Sequence, residues 1–153
     1  MDIKSKLTSK DDKYACAIAD KIIAESQETE EWYEYFDEFA SLLNHPKSLV
    51  RNRVLYILAA NVQWDDEKRF DLIVTDFLSH ITDEKPITAR QCIKALAQIG
   101  QTKQQYIPTV SYTHLDVYKR QAYKVKLEEE QEYLYSFLHT LLGPEIIEIF
   151  DNK

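Results

Sequence analysis

Apolar side chains recur along the chain at helical spacing. Trp32, Tyr35, Phe36, Phe39, Leu42 and Leu43 fall at i, i+3, i+4, i+7, i+10 and i+11. Phe70, Ile73, Val74, Phe77, Leu78 and Ile81 fall at i, i+3, i+4, i+7, i+8 and i+11. Each set forms one stripe of an amphipathic helix, predicted over residues 30–44 and 66–81. Ala15, Ala19, Ile22 and Ile23 mark an earlier helix that starts at Ser9, a residue type suited to the N-cap, with Asp11 and Asp12 placed where the helix dipole favours negative charge. Val50, Val54, Ile57, Leu58 and Val62 mark a helix over residues 46–61, and a further helix is expected over residues 86–99. Ile3 and Leu7, at i and i+4, are a short leading turn or a frayed end. Pro46 and Pro86 punctuate the pattern. Each disfavours helix at the residue before it and suits a helix start, where its missing N–H costs nothing.

The helix over residues 46–61 has copies. Sliding the chain by 39 residues puts Val50 on Ala89, Arg51 on Arg90, Val54 on Ile93, Ile57 on Leu96, Leu58 on Ala97 and Asn61 on Gly100. Apolar positions stay apolar and the arginine is identical. Gly100, and less well Asn61, suit the left-handed residue that closes a helix. At an offset of 35 residues the same template meets Ala15, Ala19, Ile22 and Ile23, with Cys16 at the arginine position and no proline. Helix pairs recurring at this interval are the mark of an α-solenoid, whose terminal repeat is usually atypical.

Pro46, Val50-Arg51, Val54, Ile57-Leu58 and Asn61 resemble the first helix of a HEAT repeat, and Lys85-Pro86, Ala89-Arg90, Ile93, Leu96-Ala97 and Gly100 are similar. The resemblance covers residues 11–108 and extends to small bacterial HEAT-like proteins and to HEAT-like DNA alkylation repair glycosylases. It implies an all-α fold, a short right-handed α-solenoid of antiparallel helix pairs, to which the apolar stripe in the tail would add a C-terminal helix. It also implies that Arg51 and Arg90 make structural contacts between neighbouring repeats, and that the second helix of each pair lines the concave binding side. No catalytic residue carries over from the glycosylases, whose acidic group lies in a cleft built by more repeats.

Residues 110–121 break the pattern. They have no helical period and are rich in β-branched and aromatic side chains. They resemble a translated cloning or sequencing-adapter tail that recurs at the ends of unrelated predicted proteins in assembled environmental sequence. The expected organisation is therefore a repeat domain over residues 1–109, about two and a half helix pairs. An irregular, artefactual insertion over 110–121 would follow, which would truncate the family-like protein near Thr109. A helical tail over 122–153 comes last. In that tail Leu127, Leu134, Phe137, Leu138, Leu141 and Leu142 share one helix face.

Composition narrows the function classes. Two Gly and four Pro among 153 residues are too few for a sandwich, a phosphate loop or a Rossmann turn. No apolar run approaches the roughly 20 residues that span a membrane, and the N-terminus lacks a secretory h-region. Cys16 and Cys92 are too few and too far apart for a disulfide framework or a zinc site, so they are expected as buried thiols in the cytoplasm. His45, His80, His114 and His139 are scattered. No nucleophile or general-acid constellation appears, and no enzyme activity, cofactor or metal is expected. The net charge of −7 divides as −6 over residues 1–46, +2 over 47–109 and −3 over 110–153. An acidic chain repels phosphate at long range, which disfavours nucleic acid as a partner.

Two surfaces are candidates. The outward positions of the helices at 30–44 and 66–81 are Tyr33, Glu34, Asp37, Glu38, Asp71, Thr75, Asp76 and Ser79. They form a solvated face or a patch that recruits a protein partner through a basic segment. The alternative is a nucleic-acid-binding module built on Arg51, Arg53, Lys68, Arg69, Arg90, Lys94 and Lys103.

Overall fold

A computed structural model describes residues 2–106. Residues 110–121 and the tail over 122–153 lie outside the described residues. The chain divides after Lys103 into two units. Within the second, the described residues are Gln104–Tyr106, a 3-10 helix. The fold described below is that of the first unit.

That unit is all-helical among its described residues: α1 Ile3–Leu7, α2 Asp12–Ser26, α3 Phe36–Ala40, α4 Ser48–Asn61, α5 Arg69–Ser79 and α6 Pro86–Thr102. Short 3-10 helices precede α3 (Glu31–Tyr35), follow α4 (Val62–Trp64) and follow α5 (His80–Thr82). The Ile3/Leu7 pair is a true helix rather than a frayed end. Asp2 caps it by accepting from the Ser5 N–H at 3.1 Å, and both apolar side chains are fully buried.

Helix α2 begins two residues later than Ser9 would place its cap. Asp11 is the N-cap, its carboxylate accepting from the Lys13 and Tyr14 N–H groups at 3.0 and 3.1 Å, while the Ser9 hydroxyl accepts from Asp11 N. A carboxylate outcompetes a hydroxyl at this end because it also meets the dipole. At the other end of the chain's repeat, Gly100 does not close a helix. α6 runs through it to Thr102 and is capped at Lys103, whose N–H reaches Ile99 O at 2.8 Å.

The stripe over residues 30–44 does not form one helix. It tightens to 3-10 over Glu31–Tyr35, continues as α3, and turns over Leu42, Leu43 and His45. The tighter winding lets the Trp32 indole donate to Glu25 at 2.9 Å and the Tyr33 hydroxyl donate to Asp65 at 2.6 Å. Phe36, Phe39, Leu42 and Leu43 still enter the core, whereas Trp32 and Tyr35 are half-buried.

Helix α4 sits at the centre. It packs on α2, α3 and α6. Val50, Val54, Ile57 and Leu58 are buried, and so are Leu55, Ala59 and Ala60, which the single-stripe reading leaves outside. A helix touched on several sides has no solvent face and is apolar nearly all round. Ile23, Ile73, Val74 and Ile93 are only half-buried, because α2, α5 and α6 have fewer neighbours within the unit.

Polar side chains set the direction of packing. Lys47 and Asp12 meet at the starts of α4 and α2, and Asn61 and Ser26 at their ends, both pairs 35 residues apart in sequence. Tyr56 of α4 and Gln91 of α6 are hydrogen-bonded at the same separation of 35 residues. Helices α2, α4 and α6 therefore run alongside one another in the same direction. Asn61 is not a left-handed closing residue: it is the last residue of α4, fully buried, and donates to Ser26 Oγ at 3.0 Å and Ile57 O at 2.8 Å.

Both cysteines were expected to be buried, and only Cys92 is. Its thiol donates to Phe77 O at 3.2 Å, and burial, with the Asp83 charge, pushes it well above the usual thiol range. Cys16 is exposed because it lies on the side of α2 turned away from the Ala15, Ala19 and Ile22 stripe.

Candidate functional site

The acidic candidates come from two elements that meet at the start of α5. Asp65, just before it, is 2% exposed, and its two carboxylate oxygens accept from the Arg69 and Phe70 N–H groups at 2.8 Å each. This buried cap delays the helix to Arg69, with Lys68 in the left-handed region at φ 58°. The Tyr33 hydroxyl donates to the same Asp65 carboxylate. Burial and that negative neighbour push the Tyr33 phenol well above its usual range. Tyr33 is thus a half-buried post between the 3-10 helix and α5 rather than a free outward side chain.

Arg69 completes the junction. Its guanidinium lies 4.9 Å from the Tyr33 ring centroid, binds Glu67 at 2.7 Å and approaches Asp37 at 3.8 Å. The hydrogen bond to Glu67, first among the causes, raises the guanidinium above its ordinary value. A residue of the basic set therefore stands inside the acidic set, on Tyr33 and Asp37. Periodicity places residues on faces of single helices, and it carries no information on this contact between elements.

Glu34 and Asp37 are exposed and Glu38 is half-buried. On α5, Asp71, Thr75, Asp76 and Ser79 are all exposed. The Ser79 hydroxyl donates to Asp76 O at 2.6 Å, but the Asp71 and Asp76 carboxylates have no partner among the described residues. Sequence reading missed Leu72, which is 85% exposed at the centre of this outer face, three residues before Thr75 and four before Asp76. An apolar residue outside the stripe of the strongest amphipathic helix was the available signal.

The basic set is dispersed. Arg51 is 7% exposed, and its guanidinium pairs with both Asp83 oxygens at 2.9 and 2.8 Å and donates to the His45 and Pro46 carbonyls. Burial works to raise the Asp83 carboxyl, but Arg51, the Lys85 N–H and His80 together hold it below the usual carboxylate range. Arg53 is 8% exposed and donates to Leu7 O, Asp12 O and the Asp12 carboxylate. Hydrogen bonds from Lys47 first and Arg53 second hold Asp12 below its usual value. Arg51 and Arg53 are thus nearly buried, with their guanidinium groups committed to partners within the fold. Lys68, Arg90 and Lys94 are exposed, and Lys103 pairs with Asp66 at 3.2 Å. Arg90, aligned with Arg51 by the repeat, differs from it in being exposed.

Each of the two described histidines uses its Nδ1, while the buried Nε2 of His80 has no hydrogen-bond partner among the described residues. His45 Nδ1 accepts from the Lys47 N–H at 3.1 Å, and His80, 5% exposed, has Nδ1 3.1 Å from Asp83. Among the described residues no group of His, Cys, Asp and Glu could hold a metal ion, and no helix is long and apolar enough to cross a membrane. Neither a family model, nor a curated protein, nor a solved structure matches the chain.

Proposed function

We propose that this chain is a non-enzymatic protein-interaction module, a short HEAT-like α-solenoid of antiparallel helix pairs that binds protein through the acidic side formed by its second helices. The observation that carries the reading is the side-by-side, same-direction packing of α4 on α2 and α6, with side-chain bonds at the starts and ends of α2 and α4 and between α4 and α6. Repetition of one helix at a fixed interval is how solenoids build an extended binding surface. The turn after α5 returns to the start of α4, where Asp83 meets Arg51, as a helix pair requires. On this reading the pairs are α2 with α3 and α4 with α5, and the working surface carries Glu34, Asp37, Asp71, Thr75, Asp76 and Ser79. Its partner is a protein segment rich in Lys and Arg, met in the cytoplasm.

The charge-reversed variant Asp71→Lys with Asp76→Lys tests this in a pull-down from cell extract. Loss of the partners held by the wild type is expected, because like charges across an interface are repulsive. Retention of every partner at high stringency would sink the acidic-surface reading.

A further inference from the structure

Four large apolar side chains are markedly exposed among the described residues: Tyr14 at 46%, Leu49 at 43%, Leu72 at 85% and Ile87 at 61%. Their positions are not scattered. Tyr14, Leu49 and Ile87 stand in the first turns of α2, α4 and α6, the three helices that run in one direction. They therefore lie along one edge of the unit. Tyr14 and Leu49 have the same 35-residue separation as the bonded pairs Lys47–Asp12 and Asn61–Ser26, so they stand at matching levels of adjacent helices. Ile87, 38 residues beyond Leu49, stands at the same end of the unit in the first turn of α6; packed helices lie about 8–10 Å apart.

The edge is cationic. It holds the positive ends of three aligned helix dipoles. Lys10, Lys13 and Lys85 are exposed there, and their side chains have no partner among the described residues. The nearby carboxylates are engaged: Asp11 caps α2, and Asp12 is bound by Lys47 and Arg53. Glu84 alone stands against these lysines as an exposed, unengaged acid among the edge residues named. The fourth exposed apolar residue, Leu72, lies on the α5 face between the carboxylates of Asp71 and Asp76, which have no partner among the described residues. The exposed apolar surface is thus divided between two places of opposite charge.

We propose that the chain associates with a second copy of itself, the lysine-bearing edge of one copy seated on the acidic outer face of α5 in the other. Leu72 of one copy packs against Leu49 and Ile87 at the helix starts of the other. Lys13 and Lys85 pair with Asp71 and Asp76. The contact is heterologous, since the two surfaces differ. This inference rests on the reading of the α5 face as protein-binding and supplies its occupant: the basic segment is the chain's own edge.

The test is sedimentation equilibrium of the full chain over a wide concentration range at low and high salt. The weight-average mass should rise above the monomer with concentration at low salt and fall back as salt screens the charges. Leu72→Ser spoils the face alone, and Leu49→Ser with Ile87→Ser spoils the edge alone. Each should weaken association by about tenfold or more while leaving the thermal melt intact, because the residues are exposed. Mixing the two variants should restore a one-to-one dimer, since each retains one good surface. A monomer at every concentration, association insensitive to both variants, or no recovery on mixing would overturn the proposal. If the wild type stays monomeric while Asp71→Lys with Asp76→Lys still strips other partners, self-association fails and the protein-binding reading of the face stands.

Discussion

At the scale of single residues, the Arg51–Asp83 pair does most to join one part of the fold to the next. Both side chains are almost completely buried, at 8% and 6% exposure, and every oxygen of Asp83 is satisfied by Arg51, the Lys85 N–H or His80. Breaking such a pair from one side leaves an uncompensated buried charge, which costs about 3–5 kcal/mol, whereas replacing both partners by apolar groups is often neutral. Arg51→Met is therefore expected to lower stability by about that amount in urea melts, and Arg51→Met with Asp83→Leu to recover much of it. A double variant no more stable than the single would contradict this account. The pair also has a pH signature. Asp83 is held below the unfolded carboxylate value, so its contribution is complete above about pH 4 and is lost as pH falls through the lower folded value. Acidification below about pH 4 should consequently destabilise the wild type more than Asp83→Asn. The arginine itself was legible from its place in the repeat, but its partner was not. Asp83 lies 32 residues away in a turn, where any of several acidic residues would have read the same.

At the scale of elements, periodicity located the helices and tertiary contacts set their ends. The stripe of residues 66–81 is sound, yet α5 starts at Arg69 because the buried Asp65 carboxylate takes both the Arg69 and Phe70 N–H groups. Asp65, Asp66 and Glu67 all suit a helix start by charge. Only the one that also receives the Tyr33 hydroxyl is drawn into the interior. Asp65→Ala removes the cap, costing about 1–2 kcal/mol, and leaves the half-buried Tyr33 hydroxyl without its acceptor. The loss in melting stability should exceed that of Asp66→Ala, whose side chain is 94% exposed, and equal losses would remove the special role of Asp65. The break between the 3-10 helix Glu31–Tyr35 and α3 has the same origin. Trp32 and Tyr33 are pulled to Glu25 and Asp65, partners that a helical wheel of residues 30–44 does not contain.

At the scale of the whole unit, α4 is the element on which the others assemble. It touches α2, α3 and α6, and Leu58 near its end is fully buried. Truncating such a side chain, as in Leu58→Ala, should cost about 2–5 kcal/mol through lost burial and the cavity left behind. Leu58→Asp, which buries an unpaired charge, should abolish the helical circular-dichroism signal of the unit as a whole. A Leu58→Asp protein that kept a cooperative melt near the wild-type temperature would show that α4 is not the centre of the core. The same centrality explains why Leu55, Ala59 and Ala60 are buried although they fall outside the expected stripe. A single amphipathic face describes a helix packed on one side, and α4 is packed on several.

The sequence by itself determined the all-helical class, the positions of the principal helices and the recurrence of one helix along the chain. Those follow from local propensity and from the spacing of apolar side chains, which are written in consecutive residues. It also placed Glu34, Asp37, Asp71, Thr75, Asp76 and Ser79 outside the core, since the face opposite an apolar stripe meets water. Only the tertiary structure decided which charges are surface and which are clamps. Arg51 read as a structural contact and, in the alternative, with Arg53 as part of a nucleic-acid-binding set; the fold buries both, on Asp83, Asp12 and backbone carbonyls. Arg69 read as part of a basic set, and it lies on Tyr33 and Asp37 of the acidic one. Whether a charge faces solvent depends on what another segment brings to it, and partners 32 to 41 residues away are chosen by packing rather than by spacing.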